Sequence, residues 1–256
     1  MTIRVAAVQV RSTSDPAENL DIIAEQARQA VDQGARLVVF PEAMMANFTT
    51  RLAPVAEPLD GPFVQVVTGI AADLGAWLVV GMFEPAGDGR VHNTVVATDG
   101  HTLHHYRKLH LYDSFGSKES ATVAPGSELV TFEALGTTIG LATCYDVRFA
   151  DQFADLRRAG AEVICLPASW APGVDKVDQW ELLVRSRAMD AQAFVVGADQ
   201  SGDPSATSRA PLGVGHSLVA GPLGKVVAAL GAADGVLVTD IDVDLVARVR
   251  EAIPLG

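Results

Sequence analysis

Two cysteines occur in the chain, and only Cys144 lies in a setting suited to nucleophilic chemistry. A strand is predicted to end at Cys144, and a helix is predicted to begin within a few residues after it. Such a turn exposes the side chain and directs backbone N–H groups and the positive end of the helix toward the sulfur, which favours the reactive thiolate. Cys165 instead lies inside an apolar strand, the usual setting of a buried structural cysteine. Cys144 is therefore the predicted nucleophile.

Glu42 and Lys108 are the charged side chains best placed to assist a nucleophile. Glu42 follows the apolar strand predicted at residues 36–40, and the carboxyl ends of such strands gather the catalytic groups of α/β proteins. It could act as a general base, although a solvated loop acid fits its sequence equally well. Lys108 follows a predicted strand at residues 102–107, where a lysine is normally exposed. If it faces Cys144, its compact charge could stabilise both a thiolate and a tetrahedral oxyanion.

Other constellations in the chain are weaker. His110 and His216 could pair with Cys144 as in papain-like enzymes, but neither lies in that family's local signature. Ser169 lacks the glycine-flanked turn of serine hydrolases. The six histidines show no spacing typical of metal ligands, and no metal site is predicted.

Charge and composition exclude several classes of function. The formal net charge is −12 and the sequence pI is near 4.8, so the chain lacks the basic surface that nucleic-acid binding requires. Two cysteines are too few for a disulfide framework. Neither a signal peptide nor an apolar run long enough to span a bilayer is recognised. A cytoplasmic protein is expected, with no nucleic-acid or membrane partner.

Apolar periodicity and turn signals predict an α/β fold with mixed sheets, arranged as a layered sandwich rather than a barrel. No linker or low-complexity stretch divides the sequence, so residues 1–256 are interpreted as a single domain. Loops are predicted at residues 113–126 and 202–211. Helices are predicted from the start signal at residues 14–16 to about residue 33, and at residues 63–74, 148–159, 176–191 and 243–252. Strands are predicted at residues 3–10, 36–40, 76–82, 91–98, 102–107, 129–133, 138–143, 162–166, 194–198, 215–220, 225–229 and 236–240.

Several segments, taken together, resemble the nitrilase superfamily of carbon–nitrogen hydrolases. Three of them carry the candidate catalytic residues in the family's order and spacing, and together they are highly specific. The likeness runs from Ile3 to Ile253. The matching segments are residues 40–42 (FPE), 106–111 (YRKLHL), 119–126 (ESATVAPG), 140–149 (GLATCYDVRF), 180–188 (WELLVRSRA) and 215–217 (GHS).

The resemblance implies a role for each matching residue and a four-layer α-β-β-α sandwich, usually dimerised through the helices that flank the sheets. Glu42 becomes the general base and Cys144 the nucleophile. Lys108 stabilises the oxyanion together with the backbone N–H of Tyr145. Glu119 matches a second glutamate that positions the lysine or the substrate. No metal or organic cofactor is implied.

Within the superfamily, the chain looks closest to the omega-amidases and deaminated-glutathione amidases. Their substrates are small carboxamides that carry a carboxylate, which would need a cation in the pocket. Arg148 is the candidate for that cation, and Trp170 is a candidate for the pocket wall. Three departures affect substrate choice. The loop between Tyr112 and Glu119 is shorter than in typical omega-amidases, Asp199 stands where many members have asparagine, and Ala191 stands where many have a polar residue.

Three alternatives stay open from the sequence. An N-carbamoyl compound could be hydrolysed by the same three catalytic residues. A nitrile is less favoured, because the Cys-Tyr-Asp segment resembles the amidase branches rather than the Cys-Trp-Glu pattern of true nitrilases. A binding protein that has kept the fold without activity would have no physical need for Glu42, Lys108, Glu119 and Cys144 together.

Overall fold

The computed structural model describes residues 1–202 and 210–255, in which two six-stranded mixed sheets pack face to face between layers of helices. The strands, numbered along the chain, are β1 (Thr2–Gln9), β2 (Leu37–Val39), β3 (Trp77–Pro85), β4 (Val91–Thr98), β5 (Leu103–Arg107), β6 (Val130–Ala134), β7 (Thr137–Leu141), β8 (Val163–Ala168), β9 (Phe194–Asp199), β10 (Leu218–Ala220), β11 (Val226–Ala229) and β12 (Gly235–Asp242). The α-helices are α1 (Pro16–Asp32), α2 (Pro62–Leu74), α3 (Ala150–Arg158), α4 (Lys176–Ala191) and α5 (Asp244–Ala252).

Each sheet has a parallel centre and antiparallel edges. The first sheet has the order β12-β1-β2-β3-β4-β5, with β1, β2 and β3 parallel. The second has the order β11-β10-β9-β8-β7-β6, with β7, β8 and β9 parallel. The chain leaves each parallel strand at its carboxyl end through a loop or helix, and α/β proteins place functional groups at these ends.

The core is built in three layers by the alternation of side chains along the strands. In β1, Val5 and Ala7 face the second sheet, whereas Ala6 and Val8 face helices α1 and α2. In β8, Cys165 faces the first sheet and Ile164 faces helices α3 and α4. This arrangement is the four-layer α-β-β-α sandwich that the sequence predicted.

The predicted elements are found, with differences at positions where the backbone leaves its regular conformation. The helix predicted at residues 148–159 begins only at Ala150, because Phe149 is extended, and a separate 3-10 helix at Cys144–Arg148 precedes it. The strand predicted at residues 215–220 begins only at Leu218, since His216 has a positive φ of 56°.

Two predicted loops had different outcomes. The one at residues 113–126 contains a 3-10 helix at Glu119–Ala121, which the polar composition did not reveal. The one predicted at residues 202–211 lies mostly outside the described residues. Among the residues that the structure describes, no helix has the length and apolar character needed to cross a bilayer.

Candidate active site

Cys144 lies at a sharp turn between the second sheet and a short helix. Strand β7 ends at Leu141, and Cys144 begins the 3-10 helix with a φ of 49°, a conformation that costs a non-glycine residue energy and must be held by its surroundings. The turn is held by Thr143, whose N–H donates to Asp146 Oδ2 at 2.9 Å and whose hydroxyl donates to the Pro167 carbonyl at 3.0 Å. The constrained backbone fixes where the sulfur points.

Asp146 also links this turn to the first sheet. Its Oδ2 accepts a hydrogen bond of 2.6 Å from the Tyr106 hydroxyl, and its Oδ1 accepts one of 3.0 Å from the backbone N–H of His110. Burial and the adjacent Asp146 carboxylate raise the pKa of Tyr106 well above its ordinary value, so the phenol remains a donor. Since Lys108 lies between Tyr106 and His110, these bonds fix its backbone relative to Cys144.

Lys108 is buried between two carboxylates. Its Nζ lies 3.0 Å from Glu42 Oε1 and 3.1 Å from Glu119 Oε2, and the Lys108 and Glu42 side chains are only 2% and 1% exposed. Burial alone would lower the pKa of Lys108, but Glu119 and Glu42 outweigh it and hold the pKa well above the ordinary value. A lysine at a strand end is normally exposed, and the structure places this one in the interior.

Asn93, which the sequence analysis missed, joins the same group of side chains. It lies on β4, and its Nδ2 donates to Glu42 Oε1 at 2.7 Å and to Glu119 Oε1 at 3.2 Å. The backbone N–H of Ser169 donates to Glu42 Oε2 at 3.0 Å, and that of Tyr112 donates to Glu119 Oε2 at 2.6 Å. Both carboxylates are therefore fixed by several donors. Asn93 lies between His92 and Thr94 in β4, so nothing in the residue types set it apart from its neighbours.

The Cys144 side chain is buried, with only 7% of the residue exposed. Burial raises its pKa well above the ordinary value and the neighbouring Glu42 carboxylate raises it further, while Lys108 opposes this only in part. The sequence analysis named the backbone N–H groups and the helix end as groups that favour the thiolate, whereas burial and the Glu42 charge act against it. Glu42 is the carboxylate adjacent to the Cys144 sulfur.

A cavity of about 560 Å³ opens beside these groups, a volume suited to a small-molecule ligand. It brings together most of the residues that the sequence singled out. The backbone N–H of Tyr145 has no acceptor among the described residues, whereas its hydroxyl contacts the Ser114 hydroxyl at 2.9 Å. The predicted site residues that line the cavity are Glu42, Lys108, Glu119, Cys144, Tyr145 and Trp170.

Arg148 differs from its predicted placement. Its guanidinium donates to Gln179 at 2.7 Å and lies 5.0 Å from the ring centroid of Trp170, and it is not among the described residues that line the cavity. Lys176, at the start of α4, lines the cavity instead. No motif marks this lysine, because its position depends on how the loop after Trp170 folds back.

The alternative constellations are not assembled. His110 contacts Asp146 and Gln152 through Nδ1, at 3.0 Å and 2.9 Å, and His216 contacts Glu181 at 2.9 Å. Neither histidine is among the described residues that line the cavity with Cys144. Within residues 1–202 and 210–255, no three His, Cys, Asp or Glu side chains are grouped so that they could hold a metal ion.

Comparison with known proteins places this geometry in a family. A sequence profile described as carbon–nitrogen hydrolase matches residues 4–251. The hydrolase Rv0480c of Mycobacterium tuberculosis is 47% identical over 262 residues, covering 98% of this chain and 93% of that protein. The omega-amidase NIT2 of Homo sapiens is 31% identical, covering 99% and 94%. The crystal structure of Saccharomyces cerevisiae Nit3, a member of branch 10 of the nitrilase superfamily, has a TM-score of 0.84 at 28% identity, covering 99% and 95%.

Proposed function

The chain belongs to the carbon–nitrogen hydrolase family, and on that premise we propose that it hydrolyses a small carboxamide to a carboxylate and ammonia through a thioester on Cys144. One observation carries the proposal. The Lys108 ammonium is buried between Glu42 and Glu119 on the wall of the cavity that contains Cys144. A nucleophile, a base and a fixed positive charge at one cavity are the requirements of acyl transfer.

The first half of the reaction forms the thioester. The Cys144 sulfur attacks the amide carbon while its proton passes to Glu42, because burial and the Glu42 charge raise the pKa of the thiol. The carbonyl oxygen becomes an oxyanion, which accepts hydrogen bonds from the Lys108 ammonium and the Tyr145 N–H. Glu42 then returns the proton to the amide nitrogen, the carbon–nitrogen bond breaks, and ammonia leaves.

The second half of the reaction regenerates the thiol. A water molecule gives a proton to Glu42 as its oxygen attacks the thioester carbon, and the same two donors hold the new oxyanion. The carbon–sulfur bond then breaks, the sulfur recovers the proton from Glu42, and the carboxylic acid product ionises as it is released. Glu119 acts as a positioning residue in this scheme, because it holds Lys108 and accepts hydrogen bonds from Asn93 and the Tyr112 N–H.

The proposed substrate is an amide that also carries a carboxylate. The human relative is named an omega-amidase, and the cavity wall holds several cations besides Lys108. These are Arg51, Lys118 and Lys176. An anionic substrate would gain attraction from all of them. Assembly as a homodimer or a higher homo-oligomer, expected from the resemblance, stays a prediction.

The test is ammonia release from a panel of amides by the wild-type protein, Cys144→Ala and the control Cys165→Ala. The panel contains carboxylate-bearing amides, glutamine, simple aliphatic amides, N-carbamoyl amino acids and a nitrile. We expect turnover of a carboxylate-bearing amide that is abolished in Cys144→Ala and retained in Cys165→Ala, whose sulfur is buried between the sheets.

Mass spectrometry of the enzyme quenched during turnover should show the acyl group on the peptide that contains Cys144. Equal ammonia release by Cys144→Ala would refute the nucleophile. Turnover of the N-carbamoyl compound or the nitrile alone would keep the site and replace the substrate class. Silence across the panel, with no acyl adduct, would favour a binding protein.

A further inference from the structure

The active site is divided between the two sheets. Glu42 follows β2 of the first sheet, whereas Cys144 follows β7 of the second. The sheets pack through apolar side chains, whose attraction has no preferred direction. Directional contacts near the strand ends are therefore suited to fix the carboxylate relative to the sulfur. Gln200, which follows β9 and is fully buried, supplies such contacts.

The side-chain amide of Gln200 bonds to residues that follow strands of the first sheet. Its Oε1 accepts a hydrogen bond of 3.1 Å from the Ser12 N–H, and its Nε2 donates to the Ser12 hydroxyl oxygen at 2.9 Å. The same Nε2 donates to the Glu42 carbonyl at 2.9 Å. Because the N–H of Ser12 needs an acceptor and the carbonyl of Glu42 needs a donor, an amide satisfies both and is held in one orientation.

The backbone of Glu42 is bonded to β8 and to the residue that follows β9. Its N–H donates to the Ala168 carbonyl at 3.2 Å, and the Gln200 N–H donates to the same carbonyl at 3.2 Å. Ser169 donates its N–H to Glu42 Oε2 at 3.0 Å, and its carbonyl lies 3.9 Å from the Cys144 Sγ. Gln200 thus completes a set of contacts that runs from the general base to the nucleophile.

We propose that Gln200 is a positioning residue, which fixes the Glu42 backbone against the second sheet so that the carboxylate can take the proton of Cys144. This inference rests on the proposed function and deepens it. Without the amide, the buried Glu42 carbonyl would lose this donor, and the segment that carries the base would be free to shift. A misplacement of about 1 Å can cost about 100-fold in rate. Gln200 would therefore control the proton transfer although it is not among the described residues that line the cavity.

Gln9 provides an internal comparison, because it is a second buried glutamine that bridges the two sheets. It ends β1 and is fully buried like Gln200. Its Oε1 accepts a hydrogen bond of 2.8 Å from the Ser217 N–H, just before β10, and its Nε2 donates to the carbonyls of Gly231 and Ala233. None of these three partners is a catalytic residue. The two glutamines therefore match in type and burial and differ in whether a bond reaches the general base.

The experiment compares Gln200→Met with Gln9→Met, since methionine keeps the length of glutamine but not its amide. We expect kcat for the amide that the wild type hydrolyses to fall at least about 10-fold in Gln200→Met. KM should change less than about 3-fold, because the base acts in the transition state. Gln9→Met should keep kcat within about 2-fold of the wild type per folded molecule, because its bonds reach no catalytic residue. Equal losses of kcat in the two variants would show a general structural role and overturn the proposal.

Alkylation of Cys144 by iodoacetamide, followed by mass spectrometry, tests the position of Glu42 without turnover. Burial and then the Glu42 charge raise the pKa of the thiol, whereas Lys108 lowers it, and the thiolate is the reactive form. The pH midpoint of alkylation should therefore be lower in Glu42→Gln than in the wild type. A displaced Glu42 should lower the midpoint in Gln200→Met as well, whereas Gln9→Met should match the wild type.

The two measurements separate the positioning role from the reaction itself. An unchanged midpoint in Gln200→Met overturns the proposal even if amides are hydrolysed. A lowered midpoint without hydrolysis of any amide means that the proposed function fails and the positioning role stands. If Gln200→Met does not fold, Ser12→Ala decides, because it removes one acceptor that orients the amide and leaves Gln200 in place. We expect kcat to fall about 2- to 10-fold in Ser12→Ala, the effect of one hydrogen bond, and an unchanged kcat overturns the proposal.

Discussion

Replacing Lys108 by methionine should destabilise the protein as well as inactivate it. The substitution keeps most of the side-chain volume but leaves Glu42 and Glu119 facing each other without the ammonium that now lies within 3.0 Å and 3.1 Å of them. Breaking a buried ion pair by removing one partner costs about 3 to 5 kcal/mol, because the remaining charge stays buried without compensation. We therefore expect the free energy of unfolding to fall by at least about 3 kcal/mol at pH 7.

The second carboxylate makes the prediction sharper. Glu119→Gln added to Lys108→Met removes one of the two opposed charges, so the double variant should recover part of the lost stability. Residues in direct contact typically show coupling of about 0.5 to 3 kcal/mol. Hydrolysis should be reduced by at least about 100-fold in both variants, since each lacks the charge that stabilises the oxyanion.

Urea unfolding followed by tryptophan fluorescence measures these changes, with all four members of the double-mutant cycle and Lys225→Met as an exposed control. Circular dichroism before unfolding would verify that each variant is folded at the start. A loss of less than about 1 kcal/mol in Lys108→Met, with no coupling to Glu119→Gln, would mean that the three charges do not depend on one another. The electrostatic account of the site would then be refuted.

Two further predictions concern the surroundings of the site. Asp199 accepts hydrogen bonds from the N–H groups of Trp170 and Val214, and burial raises its pKa to about 8. Because this folded-state pKa exceeds the unfolded one, the free energy of unfolding of the wild type should fall as pH rises from about 4 to 8. Urea unfolding should show that the stability of Asp199→Asn relative to the wild type increases by up to about 1.4 kcal/mol per pH unit over this range. Parallel pH profiles for the two proteins would contradict this. Gly81→Ala should lower kcat at least about 10-fold, because the added Cβ would lie 3.0 Å from the Glu42 Cα and displace the Glu42 carboxylate. An unchanged kcat in an ammonia-release assay would show that catalysis tolerates this displacement of Glu42.

The family and the layered fold could be predicted from the sequence because both depend on local patterns. Apolar runs of strand length, helical periodicity and ordered motifs survive without knowledge of tertiary contacts. Both the membership and the α-β-β-α sandwich are confirmed. The errors in element boundaries occur where single residues leave regular geometry, as at Phe149 and His216.

The parts of the site that the sequence could not supply depend on distant packing. Asn93 and Lys176 lie in segments without a motif, and only the folded chain brings them to the cavity. Arg148 was the candidate for the cation that a substrate carboxylate would need, yet its side chain donates a hydrogen bond to Gln179. The burial of the Cys144 sulfur and its closeness to Glu42, both of which raise the pKa of the thiol, also depend on tertiary packing that local arguments about helix ends do not include.

The pairing of the first strand with the last has a consequence for how the enzyme is synthesised. Thr2 pairs with Asp242, so one edge of β1 has no partner until β12 has left the ribosome. Strands β6 to β11 precede β12 along the chain, so Glu42, Lys108 and Cys144 are all synthesised before the first sheet can be completed. An unpaired strand edge is a template for association with other chains. The emerging polypeptide therefore keeps an association-prone edge on β1 until β12 is added.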